Sequence, residues 1–128
     1  MLLNRFFGLI LLASLTVGLT GCQPSPGGTV RSFFVDLEKG EINEATDALS
    51  NSSVDGYMGS KIKMALSEVP ASFDERGGIK NIEILDENVN GDLATVSYRI
   101  NFKDDTSEEG VMDLVKEDDG WKIDPMSK

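Results

Sequence analysis

The hydrophobic pattern of this chain changes its period at Gly77-Gly78, and that change restricts the folds open to it more than any other feature. Before these glycines, apolar residues recur at helical spacing, whereas after them apolar and polar residues alternate. Helices and strands are therefore segregated along the chain. This order predicts an α+β domain, in which about three N-terminal helices pack on one face of a curled, four-stranded antiparallel sheet.

The helical half contains three apolar stripes. The first predicted helix has Thr29 as its N-cap and ends at Gly40, which suits the left-handed residue that terminates a helix. Its apolar face consists of Val30, Phe33, Phe34 and Leu37. A short second helix is expected within residues 42–49. A third stripe covers residues 58–69, and Pro70 is expected to end it.

The second half predicts four strands joined by short turns. The first covers residues 79–89, and Asn90-Gly91 is expected to form a type I′ turn, because both residue types tolerate a positive φ. Residues 110–117 and 121–123 form the third and fourth strands. The second strand alternates cleanly and predicts one buried face, formed by Ala94, Val96, Tyr98, Ile100 and Phe102.

The N-terminal segment has the organisation of a secretion signal. Arg5 is followed by a mostly apolar run, residues 6–19, which is shorter than the roughly 20 residues of a membrane-spanning helix. Residues 19–22, Leu-Thr-Gly-Cys, then resemble the lipobox of bacterial lipoproteins, which implies cleavage before Cys22 and acylation of its thiol. We therefore expect a cleaved signal peptide (1–21), a lipidated Cys22 with a flexible tether (22–28), and a folded domain (29–128).

Acylated Cys22 would attach the domain to the lipid bilayer on the extracytoplasmic side of a bacterial membrane, with palmitate or similar acyl chains as the anchor. Gln23 stands where an Asp favours inner-membrane retention in lipoproteins of this kind. We therefore expect the outer membrane, facing the periplasm, if the source has two membranes. An ordinary secreted protein and an uncleaved anchor are the alternatives.

Charge and residue types restrict the functions that remain. The chain has 22 Asp and Glu against 12 Lys and Arg, which gives a net charge of −10. Nucleic-acid binding depends on basic residues, so no nucleic-acid partner is expected. The chain has no His and only one Cys, which removes the usual general base, the commonest metal ligand and any intramolecular disulfide. No metal or cofactor is expected.

A resemblance to a known family rests mainly on the last hairpin, residues 114–123, Leu-Val-Lys-Glu-Asp-Asp-Gly-Trp-Lys-Ile. Together with the lipobox and the paired Phe residues of the first helix, it resembles small, uncharacterised bacterial lipoproteins that contain a domain of unknown function. Their cone-shaped, cystatin-like fold is similar to that of nuclear transport factor two and ketosteroid isomerase. The resemblance covers roughly residues 27–124, and it implies a cavity at the open end of a curled sheet.

We take five residues as candidates for lining such a cavity: Phe33, Phe34, Tyr98, Phe102 and Asp113. Asp113 is the one acid within the alternation of the third strand. It would be a cavity acid if Val111 and Val115 face inward, and a solvated surface residue if Met112 and Leu114 do. The second arrangement is favoured, because charged residues are rarely buried without a partner.

These observations predict no enzyme, since no nucleophile, base or metal constellation stands out. The preferred function is a non-catalytic protein-interaction or assembly module of the cell envelope, with an envelope protein or a second copy of the chain as its partner. The alternative is a small-molecule binding module that uses the apolar cavity of the cone. An isomerase-like enzyme would need Asp113 to face inward.

Overall fold

The computed structural model describes residues 23–127, so Cys22 and the predicted signal peptide lie outside the described residues. Helices precede strands, and the four strands form one antiparallel sheet in the order β1-β2-β3-β4. This confirms the predicted α+β architecture. The elements are α1 (Pro26–Lys39), α2 (Ile42–Asp47), α3 (Asn51–Val54), α4 (Gly56–Ser67), α5 (Val69–Glu75), β1 (Ile79–Asn90), β2 (Leu93–Phe102), β3 (Ser107–Glu117) and β4 (Gly120–Ile123).

Helix α1 begins earlier than the sequence pattern predicted. Its N-cap is Ser25, whose side-chain hydroxyl accepts a hydrogen bond from the Gly28 N–H at 3.1 Å, and Pro26 occupies the first turn. Proline is well suited to that position because its missing N–H would be unpaired there anyway. The prediction of Thr29 as N-cap was therefore wrong, and part of the predicted tether is helical. The helix ends at Gly40 (φ 75°), as predicted.

The third predicted helix is two helices in the structure. Pro70 lies in the first turn of α5 and does not end the preceding helix, which stops at Ser67. The proline is tolerated in a first turn for the same reason as in α1. A single extra turn, α3, precedes α4, so the helical half contains five segments where three were expected.

The β1–β2 hairpin turns one residue later than predicted. Asn90 is the last residue of β1 and pairs with Leu93, so the central residues of the turn are Gly91 and Asp92. Only Gly91 has a positive φ, 62°. A positive φ at the first central position alone is the pattern of a type II′ turn, so the type I′ prediction was wrong.

The core lies between α1 and the inner face of the sheet. The predicted inner face of β2 is confirmed, with Tyr98 half-buried and the other four residues buried. The core consists of Val30, Phe33, Phe34, Leu37, Ala45, Leu49, Phe73, Ala94, Val96, Ile100, Phe102, Leu114 and Ile123. These core residues are those of the range that the structure describes, 23–127.

Candidate functional site

Strand β3 has an edge that is open over half its length. Strand β4 is short and pairs only with the last four residues of β3, Leu114 to Glu117. One further hydrogen bond, from the Asp124 N–H to the Asp113 carbonyl at 2.8 Å, continues the ladder. Within residues 23–127, no strand pairs with residues 107–112 on this side. Backbone groups alternate between the two sides of a strand, so Val111 and Glu109 present their N–H and C=O groups to the open edge.

A cavity of about 220 Å³ lies beside this edge, between α4 and β3. Val111 also lines the cavity and is 64% exposed, so the cavity opens to solvent next to the unpaired backbone. We call the open edge and this cavity together the edge groove. Its apolar lining consists of Phe33, Leu49, Ile62, Leu66, Val111, Met112 and Ile123.

Asp113 lies on the outer face of the sheet, at the rim of the edge groove. Its neighbour Leu114 is buried and Met112 packs against the core, which is the arrangement that the sequence favoured. The Thr95 hydroxyl donates a hydrogen bond to Asp113 Oδ1 at 2.9 Å, and the Ser127 hydroxyl donates to Oδ2. The carboxylate thus connects β2 with the residues that follow β4.

A second cavity, of about 370 Å³, lies on the other side of Asp113. Both cavities are lined by Asp113, Asp124 and Ser127, so residues 124–127 form the partition between them. This segment is held by its own hydrogen bonds, including one from the Met126 N–H to Asp124 Oδ1 at 3.1 Å. The remaining lining of the second cavity consists of Leu93, Ala94, Thr95 and Leu114.

The five predicted cavity residues lie in two different parts of the structure. Phe33 and Asp113 line the edge groove. Phe34 and Phe102 are buried in the core, and the Phe34 ring packs on Tyr98 with 4.9 Å between ring centroids. Tyr98 is half-buried, and its burial, together with the charge of Glu108, raises the pKa of its phenol. Phe34, Tyr98 and Phe102 therefore act mainly in packing the interior.

The sequence interpretation missed the contribution of α4 and the open edge of β3. Ile62 and Leu66 were assigned to an apolar stripe but not to a cavity. The signal for the open edge is the turn-forming pair Asp124-Pro125 after β4, because the Met126 N–H, which would continue the ladder opposite Val111, donates to Asp124 Oδ1 instead. A fourth strand that stops there is too short to cover β3.

The edge groove offers three kinds of contact. It combines an apolar pocket, unpaired backbone groups and a rim of two carboxylates, Asp113 and Asp124, with one hydroxyl. Across residues 23–127, no three Asp, Glu, His or Cys side chains are grouped closely enough to hold a metal ion. No helix in the same range is both long and apolar enough to cross a membrane.

Comparison with solved structures shows the fold. A crystal structure from Campylobacter jejuni, provisionally described as an NTF2-like transpeptidase, superposes with a TM-score of 0.68 at 21% sequence identity. The match covers 77% of this chain and 96% of that one. At this identity the likeness shows an NTF2-like fold and carries no activity over to this chain. No protein with curated functional information matches the sequence.

The family is shown by a sequence match over most of the chain. The family model described as "Domain of unknown function (DUF4878)" matches residues 20–124. The match includes Cys22, all nine helices and strands that the structure describes, and the hairpin on which the sequence resemblance rested. The chain therefore belongs to the DUF4878 family of domains of unknown function.

Proposed function

We propose that this protein is a non-catalytic binding module, held at a bacterial membrane by lipid on Cys22, whose edge groove binds an extended apolar segment of a partner protein. One observation carries the proposal: the unpaired backbone of β3 lies directly beside an apolar cavity. An extended peptide matches both features, because its backbone can pair with the strand while one of its side chains enters the pocket.

The size of the cavity supports a side chain as its occupant. Pockets for drug-sized ligands have volumes of about 300–1,000 Å³. The cavity of the edge groove, at about 220 Å³, is smaller. An apolar side chain delivered by a bound strand therefore fits the groove better than a free small molecule does.

The sequence of the open edge also supports strand addition. Exposed edges in soluble proteins are usually protected by charge, proline or a bulge. Residues 110–112, Gly-Val-Met, have none of these protections. The rim carboxylates, Asp113 and Asp124, favour a partner segment with basic residues flanking its apolar centre.

Membrane attachment is the second part of the proposal. The lipobox-like residues 19–22 support acylation of Cys22, and two or three acyl chains would anchor the domain stably where one would not. Gln23 favours the outer membrane in a source that has two membranes. The test is metabolic labelling of the full chain with palmitate, with Cys22→Ser as the control. Label that persists in Cys22→Ser would contradict lipidation at this residue.

The non-catalytic part of the proposal is supported by the position of Asp113. An isomerase-like reaction on this fold needs a carboxylate on the apolar inner face, where burial raises its pKa. Asp113 was the one candidate for that role, and it faces outward with Thr95 and Ser127 as hydrogen-bond donors. The word transpeptidase in the name of the Campylobacter jejuni protein applies to that protein, and it identifies no catalytic residue in this chain.

A small-molecule binding module is the second candidate function. The observation that favours it is the second cavity, whose volume of about 370 Å³ falls within the usual range for small ligands. Native mass spectrometry of residues 23–128, purified gently from cell extract, would reveal a bound ligand as a reproducible extra mass.

Sedimentation of the same sample distinguishes a second copy of the chain from a different protein as the partner at the groove.

The edge groove is tested by changing its backbone. Peptides selected from a random library on the wild-type domain are titrated against Val111→Pro and Val111→Ala. The Val111 N–H points to the open edge, so proline removes no native ladder bond but blocks pairing with a new strand. We expect Val111→Pro to abolish peptide binding and Val111→Ala to retain it. Equal binding by two folded variants, checked by circular dichroism, would show that strand addition is not the mode of recognition.

A further inference from the structure

One end of the domain carries both the start of α1 and the tips of the two hairpins, and we call it the anchor end. The Gly27 N–H at the start of α1 donates to Glu87 Oε1 at 2.9 Å, near the end of β1. At the other end of α1, the Glu38 carboxylate accepts from the N–H of Ile79, the first residue of β1. Helix α1 is therefore antiparallel to β1, and its N-terminus points toward the end of the domain that carries the β1–β2 turn.

The second hairpin tip lies at the same end. The Lys116 N–H, near the end of β3, donates to the carbonyl of Asp92 in the β1–β2 turn at 2.8 Å. The β3–β4 turn, residues 118–119, follows directly. The β2–β3 turn, residues 103–106, is at the opposite end, because adjacent strands of the meander run in opposite directions.

We propose that the anchor end rests on the headgroup layer of the bilayer, with Val89 and Leu93 in contact with lipid. This inference rests on the proposed lipidation of Cys22. Only Gln23 and Pro24 separate Cys22 from the N-cap Ser25, and three residue steps reach at most about 11 Å. The domain therefore cannot move far from the membrane that holds its lipid.

The hairpin projects about as far as the tether reaches. The start of α1 adjoins the side chains of Ile84 and Glu87. From Glu87, the nearer of the two to the turn, four residues lead to Gly91 at the tip, a rise of about 13 Å at ~3.3 Å per residue. The tip thus projects from the end of the domain at which α1 begins, by at least the distance that the tether can span. A domain drawn close by its tether meets the bilayer with this hairpin.

The side chains at the anchor end are of the kinds that membrane interfaces favour. Val89 and Leu93, on either side of the turn, are 52% and 61% exposed. Trp121 is half-buried at the same end, with Lys116 Nζ 5.9 Å from its ring centroid. Tryptophan and lysine with exposed aliphatic residues are typical of the region between headgroups and acyl chains.

The charge of the anchor end predicts which lipids it prefers. Both turns carry acids, and of these Asp119 is paired with Lys122 at 3.1 Å. Asp92 and Asp118 are exposed. Anionic lipids would repel these carboxylates, since the surface potential of such membranes attracts basic segments and not acidic ones. The expected surface is therefore zwitterionic, such as phosphatidylcholine or phosphatidylethanolamine.

The test uses two residues that occur once in the chain, Cys22 and Trp121. A chain beginning at Cys22 is coupled through its thiol to a maleimide phospholipid, in phosphatidylcholine vesicles that contain a headgroup spin label. We expect Trp121 to lose most of its fluorescence to the label. The matched control, Trp121→Phe with Ser107→Trp, places the single tryptophan near the β2–β3 turn, and we expect it to keep its emission.

A second pair of variants tests the contact itself. Val89→Asp with Leu93→Asp should reduce the quenching of Trp121. Met64→Asp should leave that quenching unchanged, because Met64 is exposed on α4 beside Lys63, which contacts Asn43 beyond the far end of α1. Replacing phosphatidylcholine by phosphatidylglycerol should also reduce the quenching of Trp121. Equal quenching of Trp121 and of the Ser107→Trp control would overturn the proposal. A dimer in solution that dissociates in the variant with Val89→Asp and Leu93→Asp would also overturn the proposal, because a second copy of the chain would then cover the anchor end.

The quenching experiment can fail independently of the palmitate labelling that tests the proposed lipidation. The lipid is attached chemically, so orientation is measured whether or not cells acylate Cys22. Failure of the palmitate labelling alone would overturn the natural anchor, and failure of the quenching alone would overturn the orientation.

Discussion

The two faces of strand β2 are stabilised by different interactions. On the inner face, Ala94, Val96, Ile100 and Phe102 are at most 4% exposed beneath the helices. On the outer face, the side chains make directed polar contacts in water, the most connected being that of Arg99. Its guanidinium lies 3.1 Å from Glu83 and donates to Glu109 at 2.8 Å.

This difference shows which contacts contribute most to the fold. Burying a Phe or Ile side chain contributes about 1.5–3 kcal/mol, whereas an exposed ion pair contributes about 0–1 kcal/mol. The side chains of the outer face make more hydrogen bonds, but the buried apolar side chains of the inner face account for most of the free energy of unfolding. The outer contacts match β2 to its neighbours, because Arg99 lies opposite both Glu83 on β1 and Glu109 on β3.

The largest expected effect is on the inner face, from Phe102→Ala. The Phe102 ring packs against Phe73, 5.6 Å between centroids, and beneath the Arg76 guanidinium at 4.7 Å. Removing it should lower the free energy of unfolding by about 3–5 kcal/mol, measured by urea denaturation. The adjacent outer-face change, Asn101→Ala, is the control and should cost less than about 1 kcal/mol. Similar losses in the two variants would contradict the contrast between the faces.

A smaller effect is expected from Gly110→Ala on β3, opposite Tyr98. A Cβ at this position would lie 2.6 Å from Tyr98 Cζ, so the ring would have to move. Overpacking of this kind costs about 1–3 kcal/mol, which urea denaturation measures. In a Tyr98→Ala background the same change should cost less, because the ring that it meets is gone. A cost independent of the Tyr98 side chain would show that the glycine is needed for another reason.

The inner face of β2 could be predicted from the sequence because alternation on a half-buried strand has a single solution: a shift by one residue would bury Thr95, Arg99 and Asn101. The turn was placed wrongly because Asn90-Gly91 favours type I′ locally. The strand register, with Val89 opposite Ala94, instead keeps Asn90 in β1. Pairing over ten residue positions thus outweighed a dipeptide preference.

The candidate site was less predictable. The outward position of Asp113 follows from the buried Leu114, and that orientation was favoured from the sequence. The edge groove depends on how far β4 covers β3 and where α4 lies beside it. Neither is encoded in a local pattern, since both result from tertiary packing. The start of α1 was missed because two glycines after Pro26 obscured the capping signal of Ser25.

On the outer face, Arg99→Met should change stability little, and far less than Phe102→Ala does, because an exposed ion pair contributes little. The substitution keeps an extended apolar side chain and removes the charge that contacts Glu83 and Glu109. Any loss should shrink in high salt, because exposed charges are screened. Urea denaturation at low and high ionic strength measures both effects. A loss as large as that of Phe102→Ala, or one that salt does not change, would show that packing by the arginine stem matters more than its charge.

The smallest expected effect is the pH dependence of the same contacts. The hydrogen bond from the Asn101 amide, followed by that from Arg99, lowers the pKa of Glu83. A lowered pKa in the folded state gives a stabilisation that is present above the unfolded value of about 4.3 and is lost as the pH falls through the folded value. Wild type and Glu83→Gln should therefore differ slightly in urea midpoint near neutral pH. Their midpoints should converge in acid, and a difference that grows as the pH falls would show that Glu83 is stabilised in its protonated form.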